Sequence, residues 1–194
     1  IFHITESVEK LNKNKFIFSK KNFKILFVGN LNYLPNKIAC RDFAINILPK
    51  LNKEFPSLQF HIIGNISKYD QKILSKINNV KVLGARKELD RYMKNVICGL
   101  SNLKIASGVQ GKILTYMSFG LPVICSKQTG SNFHNFVISY KQDNDLIKKI
   151  ISLKKSKSKS FFYSKKSKSC VKNLIWNKIK LNYLRVITFN KKLF

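Results

Sequence analysis

Between Ser107 and Lys112 the chain reads Ser-Gly-Val-Gln-Gly-Lys, and it continues Ile-Leu-Thr-Tyr-Met-Ser-Phe-Gly-Leu-Pro-Val-Ile-Cys125. The apolar spacing predicts a helix over 109–119, a Gly-Leu-Pro break and then a strand. Backbone N–H groups at Gly108, Val109, Gln110 and Gly111 would stand free at the start of that helix, where its dipole favours an anion. Lys112 adds a full positive charge to the same turn, a place where a cation is disfavoured unless an anion is present. From Asp90 to Asp143 no carboxylate intervenes to repel such an anion or to hold a metal. The chemistry these residues suit is the binding of a phosphate or diphosphate. The loop is not a Walker A loop, which requires G-x-x-x-x-G-K-[ST].

Other candidate groups are weaker. Asp143-Asn-Asp145 has the spacing of a metal-binding D-x-D, but it immediately precedes Leu146-Ile-Lys-Lys-Ile150 and reads as the start of a helix. His3, His61 and His134 are isolated, and His61 falls inside a β-rich run, so none forms a dyad or a metal site. The cysteines Cys40, Cys98, Cys125 and Cys170 contain no C-x-x-C pair, which argues for reduced, mostly buried thiols in a cytoplasmic protein.

Short, continuous apolar runs must position the loop: Ile25–Gly29, Leu58–Gly64, Val80–Gly84, Val96–Leu100, Leu121–Cys125 and Phe136–Tyr140. Runs of this kind suit strands buried on both faces of a parallel sheet. Three of them end in glycine (Gly29, Gly64 and Gly84), where strand gives way to loop. Helical segments separate them, in 36–53 (with Ile38, Phe43, Ile45, Leu48 and Leu51 at helical spacing), 69–77, 88–93 and 109–119. The expected fold is α/β, a Rossmann-like doubly wound parallel sheet with helices on both faces, which binds ligands at its carboxyl edge. Residues 23–155 form this domain and 1–22 an N-terminal remnant or linker. Residues 156–170 read as a solvated Lys/Ser-rich connection, and 171–194 as an amphipathic helix and tail anchored by Trp176.

The chain has 194 residues, 37 Lys+Arg, 9 Asp+Glu and a net charge of +28, with 44% hydrophobic residues. That apolar content supports a sizeable core and excludes wholesale disorder. Lys, Asn, Ile and Phe all have A/T-rich codons, so genome bias can account for much of the charge. The longest uncharged stretch, 113–126, is shorter than the ~20 residues of a membrane span. No signal peptide is recognisable. The chain opens on Ile1 rather than Met, and its first strongly apolar run starts near Phe23, which leads us to expect a truncated or processed N-terminus.

The 107–124 block resembles the C-terminal, donor-binding half of a retaining GT-B glycosyltransferase of the family 4-like, group 1 type. Further pieces follow in family order: Leu26-Phe-Val-Gly-Asn-Leu-Asn-Tyr-Leu-Pro-Asn36, Phe43 with Leu48-Pro49, Phe60–Gly64, Val80–Gly84, Ile175-Trp176 and Tyr183-Leu184. The resemblance implies a nucleotide diphosphate sugar donor, UDP- or GDP-linked, lying along the carboxyl edge. By it, Gly29, Asn30 and the turn Ser107, Gly108, Val109, Gln110 and Gly111 approach the diphosphate and sugar. Lys112 pairs with the diphosphate as the catalytic charge, without a metal or other cofactor. Arg86 and the helix beginning at Lys112 frame the base and ribose. The acceptor implied is a glycan or lipid-linked molecule, as in surface polysaccharide biosynthesis.

Two departures bear on that reading. The family commonly carries two glutamates eight positions apart, one near the sugar and one on the ribose; here Ser107 and Thr115 occupy those positions. The family's N-terminal domain, which supplies the acceptor site, is expected to be missing, so that the chain would be a fragment. A degenerate, non-catalytic nucleotide-sugar-binding domain is therefore the alternative reading. A basic nucleic-acid-binding protein is a second one, supported by charge and opposed by missing recognition motifs, so no specific nucleic acid is expected. A UDP-sugar epimerase shares the two-domain fold, with no residue in its favour. The lysine-rich C-terminal part makes an anionic membrane surface a candidate partner, at the inner face of the membrane of a cytoplasmic protein.

Overall fold

A computed structural model of the chain describes residues 16–21, 23–105 and 110–172, together with Leu174 and Lys180. The strands are β1 (Lys24–Val28), β2 (Gln59–Ile63), β3 (Val80–Gly84), β4 (Val96–Ser101), β5 (Val123–Ser126) and β6 (Ile138–Tyr140). All pair in parallel, in the order β3-β2-β1-β4-β5-β6. This is the doubly wound order whose switch point lies between β1 and β4, and it bears out the fold read from the apolar runs. Side chains alternate across the sheet: Ile25, Phe27, Phe60 and Ile62 enter one buried core, Leu26 and Ile63 the other.

The helices are α1 (Leu34–Asp42), α2 (Leu48–Glu54), α3 (Lys68–Ser75), α4 (Gly111–Ser118), α5 (Lys127–Gly130), α6 (Asp143–Lys155) and α7 (Lys157–Lys172). A π-turn over Phe43–Ile47 joins α1 to α2. It corrects one expectation: Phe43, Leu48 and Leu51 are buried, but Ile38 and Ile45 are 48% and 58% exposed. A wider π-turn shifts the phase of the helix, so Ala39, Cys40, Ala44 and Ile47 take the inward places.

Helix ends follow local chemistry. Ser67 caps α3 by accepting from Asp70 N at 3.1 Å, and its hydroxyl donates back to Asp70 Oδ2 at 2.7 Å. Asp145, in the first turn of α6, accepts from Lys141 N at 3.2 Å, so the Asp-x-Asp spacing does serve a helix start.

A second correction concerns residues 156–170. They are not a solvated connection but most of α7, which packs against α4 and α6. Its buried positions are Ser160, Ser164, Ser167 and Val171. Two of the serines bond to carbonyls of the body: Ser160 Oγ donates to Leu153 O at 2.8 Å and Ser167 Oγ to Leu121 O at 2.7 Å. Most of the expected terminal helix, Trp176 included, and most of residues 1–22 lie outside the described residues.

Candidate functional site

The β1–β4 ladder ends at Leu26 and Gly99, whereas β1 continues beside β2 to Val28 and Ile63. A crevice therefore opens at the carboxyl edge between β1 and β4. Tyr116 of α4 bridges its base. Its hydroxyl accepts from Val28 N at 2.6 Å and donates to Leu100 O at 3.2 Å, joining two strands that no longer pair with each other. Burial pushes the Tyr116 phenol well above its usual pKa, so it stays protonated and can donate.

The turn after β1 is tightly built. Gly29 N donates to Ile63 O at 2.9 Å and Leu31 N to Asn65 O at 2.7 Å. Gly64 sits at φ +147°, and a Cβ there would fall 1.8 Å from Gly29 O, so only glycine allows the two loops to lie this close. The Asn30 side chain is spent locally, its Oδ1 accepting from Asn32 N at 3.0 Å.

Above this turn lies Lys112, in the first turn of α4. Its ammonium donates to Asn36 Oδ1 at 2.9 Å and to Gln110 Oε1 at 3.4 Å, and sits 5.3 Å from the centre of the Phe27 ring. Asn36 is 6% exposed, and its Nδ2 donates to Asn30 O at 2.8 Å, so one amide ties the β1 turn to the lysine. A Cβ on Gly29 would meet Asn36 Nδ2 at 3.1 Å and Lys112 Cε at 3.3 Å, so a side chain there would crowd both. Both side-chain acceptors of the ammonium are neutral amides, and burial lowers the Lys112 pKa from 10.5 to about 8. A partly desolvated charge at a helix N-terminus that no side chain caps is suited to an anion.

The other expected residues fall out unevenly. Gln110 and Gly111 flank Lys112 as the sequence predicts, and Gly29 and Asn30 share its edge. Thr115 is half-exposed one turn along α4, its Oγ1 donating to Gly111 O of its own helix at 3.0 Å. Arg86 follows β3, two strands from β1, where it donates to Ala85 O at 3.1 Å and lies 5.9 Å from the Tyr92 ring. The structure does not bring it into the Lys112 cluster. Ser107, Gly108 and Val109 lie outside the described residues.

Asn36 and Tyr116 are the residues that sequence reasoning missed. The signal for Asn36 is a helix-start Pro-Asn with no surface role; for Tyr116 there is none beyond its place in the central block. Asn102 adds a third tie across the crevice, its Nδ2 donating to Ala39 O at 2.8 Å. Among the described residues its Oδ1 is buried without a partner, a polar atom that a water or a ligand would satisfy. His61, by contrast, is a satisfied sheet residue: it meets Gln59 Oε1 at 2.8 Å, and burial with Lys24 and Lys81 nearby lowers its pKa to about 4.

The sequence model of the family described as glycosyl transferases group 1 matches residues 22–156. No curated protein sequence matches the chain significantly. Several solved structures share the fold. A mutant of S. aureus TarM, in complex with fondaparinux, alpha-GlcNAc-glycerol and UDP, superposes with a TM-score of 0.74 at 19% identity, over 95% of this chain and 38% of that one. The pneumococcal O-GlcNAc transferase GtfA, in complex with UDP and GlcNAc, gives 0.69 at 14% identity, over 94% and 38%. Anabaena HepE, in complex with UDP and glucose, gives 0.66 at 15% identity, over 88% and 48%. The chain thus spans between 38% and 48% of the length of these three proteins.

Proposed function

The chain belongs to the glycosyl transferases of group 1, and from that premise we propose that it is the donor-binding half of a retaining GT-B enzyme that takes a UDP- or GDP-sugar. The observation that carries the reading is the Lys112 ammonium, held by two neutral amides at the start of α4, beside the β1–β4 switch point. The complexes of TarM, GtfA and HepE with UDP support a uridine nucleotide as the first to try.

In this reading the diphosphate lies over the first turn of α4, between the turn at Gly29 and Asn30 and the loop Ser107, Gly108, Val109, Gln110 and Gly111. As the bond from the anomeric carbon to the diphosphate oxygen breaks, negative charge grows on the leaving group. Lys112 and the first-turn N–H groups stabilise that charge, a role otherwise open to a metal ion. Thr115 lies one turn further, in reach of the ribose, and Arg86 borders the base from the β3 side. A second domain supplies the acceptor site for a glycan or lipid-linked molecule of surface polysaccharide synthesis. The four cysteines are free and three are buried, which supports a reducing, cytoplasmic setting.

A thermal-shift panel of UDP, GDP, ADP and their sugar conjugates, run on the wild type and on Lys112→Ala, tests this. Ligand at about 100 times its dissociation constant stabilises a fold by about 2.7 kcal/mol, a visible shift. A shift with one base only, lost in Lys112→Ala, is the expected result. No shift with any nucleotide, in a folded protein, overturns the donor-site reading. Binding without transfer, once a partner domain is supplied, would favour the degenerate binding domain; the Thr115 hydroxyl already committed to Gly111 O is the observation on that side.

A further inference from the structure

Helix α7 shows the solvent one continuous stripe. Ser158, Phe162, Lys165, Ser169 and Lys172 are exposed and recur every three or four positions, so they share a face. Phe162 is 52% exposed, and Lys166 holds its ammonium 4.7 Å from the centre of that ring. Lys157 and Lys159 are exposed at the start of the helix. No Asp or Glu follows Asp145 in the chain, so α7 carries no acidic side chain of its own beside the exposed Lys157, Lys159, Lys165 and Lys172. The inward serines explain why the helix forms here; they do not explain a bare aromatic ring set among cations on its outer side.

We propose that this face of α7 docks on an anionic lipid bilayer. The helix lies along the surface, Phe162 enters the headgroup layer, and the lysines reach the lipid phosphates with their stems folded beside it. Three observations favour a bilayer over a polynucleotide. The face is the outer side of a helix already packed on the body, suited to a broad, diffuse charge. Its cations are all lysine, point charges without the planar fork that reads phosphates and bases. An exposed phenylalanine gains most by leaving water for an apolar layer. Because α7 packs against α4, docking would hold the helix that carries Lys112 close to the membrane. The inference goes beyond the donor-site reading and does not depend on it.

The test is co-sedimentation of the chain with vesicles of phosphatidylcholine alone and of phosphatidylcholine mixed with phosphatidylglycerol. Three variants accompany the wild type, each checked for a cooperative thermal transition: Lys165→Glu with Lys172→Glu, Phe162→Ser, and Lys50→Glu with Lys53→Glu. The last pair is exposed on a different helix, α2, and changes the total charge equally. Binding is expected only to the anionic vesicles, tenfold or more weaker in the α7 charge pair, severalfold weaker in Phe162→Ser, and near wild type in the α2 pair. Equal losses in the two charge pairs would overturn the proposal, because total charge alone would then govern binding. Unchanged vesicle binding by the α7 variants, with lost binding to duplex DNA, would overturn it in favour of a nucleic-acid face. No readout involves a donor nucleotide, so a failed donor site leaves the test intact.

Discussion

The ring of Tyr116 occupies the space that any side chain on Gly99 would need: a Cβ there would come 2.2 Å from Tyr116 Cγ. The glycine in β4 lets α4 press its tyrosine against the sheet, and the hydroxyl then closes the gap between Val28 N and Leu100 O. The start of α4, and with it Lys112, is positioned by this contact.

Gly99→Ala should therefore destabilise the fold by about 1–3 kcal/mol, the usual cost of overpacking a tight core. Tyr116→Phe keeps the ring but strands a buried N–H and a buried carbonyl, for about 1–3 kcal/mol. Urea unfolding midpoints check both. In the double variant the two losses should be non-additive, because the groups touch.

The Lys112 charge makes a pH prediction. Its pKa is lowered from 10.5 to about 8, so burial favours the neutral amine in the fold. Between those two values the unfolded chain binds more protons than the native one, and stability rises with pH. Donor affinity should move the opposite way, falling as pH passes about 8, because the diphosphate needs the ammonium. Lys112→Met should flatten both profiles, followed by urea unfolding and by calorimetry with a UDP-sugar.

Asn36→Asp tests the amide tie between the β1 turn and the lysine. A carboxylate in place of an oxygen 2.9 Å from the ammonium should return the Lys112 pKa to the ordinary lysine range. It should also weaken nucleotide binding at neutral pH by tenfold or more, since the site's charge is then cancelled. Asn36→Ala, which leaves the ammonium uncancelled, should lose less affinity at neutral pH and keep a titration below 10.5. Isothermal calorimetry across pH separates the two variants.

Thr115→Glu installs a carboxylate where the proposed donor site would hold the ribose. A hydrogen bond to a charged group contributes about 1.5–3 kcal/mol, so UDP affinity should improve by roughly tenfold or more. Unchanged affinity would show that the ribose does not lie over this face of α4.

Asp70, with its side chain 3% exposed, accepts from Lys37 at 2.7 Å and Arg41 at 2.9 Å, pinning α1 to α3. The bonds from Lys37 and Ser67 hold its carboxyl below the usual carboxylate range. Its contribution is complete above the unfolded value of 3.8 and is lost as pH falls through the lower native value. Asp70→Asn should cost about 1–3 kcal/mol at neutral pH, and the gap to wild type should close in acid, as read from urea melts at both pH values.

The sequence by itself determined the succession of strands and helices along the chain and the edge proposed for a ligand. Strands covered on both faces need continuous apolar runs, and a strand that leaves the sheet at positive φ, as at Gly64 and Gly84, favours glycine; both requirements are local. The candidate anion site was legible for the same reason, since an uncapped helix start and Lys112 in its first turn are neighbours along the chain. The tertiary structure alone decided what depends on distant groups. Asn36 meets Lys112 across 76 positions, and Tyr116 bonds to Val28 across 88. Arg86 shares the sheet edge with Lys112 yet packs on Tyr92, which no spacing could foretell. The phase of Ile38 and Ile45 was lost to a π-turn, and the Lys/Ser stretch became α7 because carbonyls at Leu121 and Leu153 accept its serines. A serine is equally at home in water or buried against an acceptor, and only the folded chain supplies the acceptor.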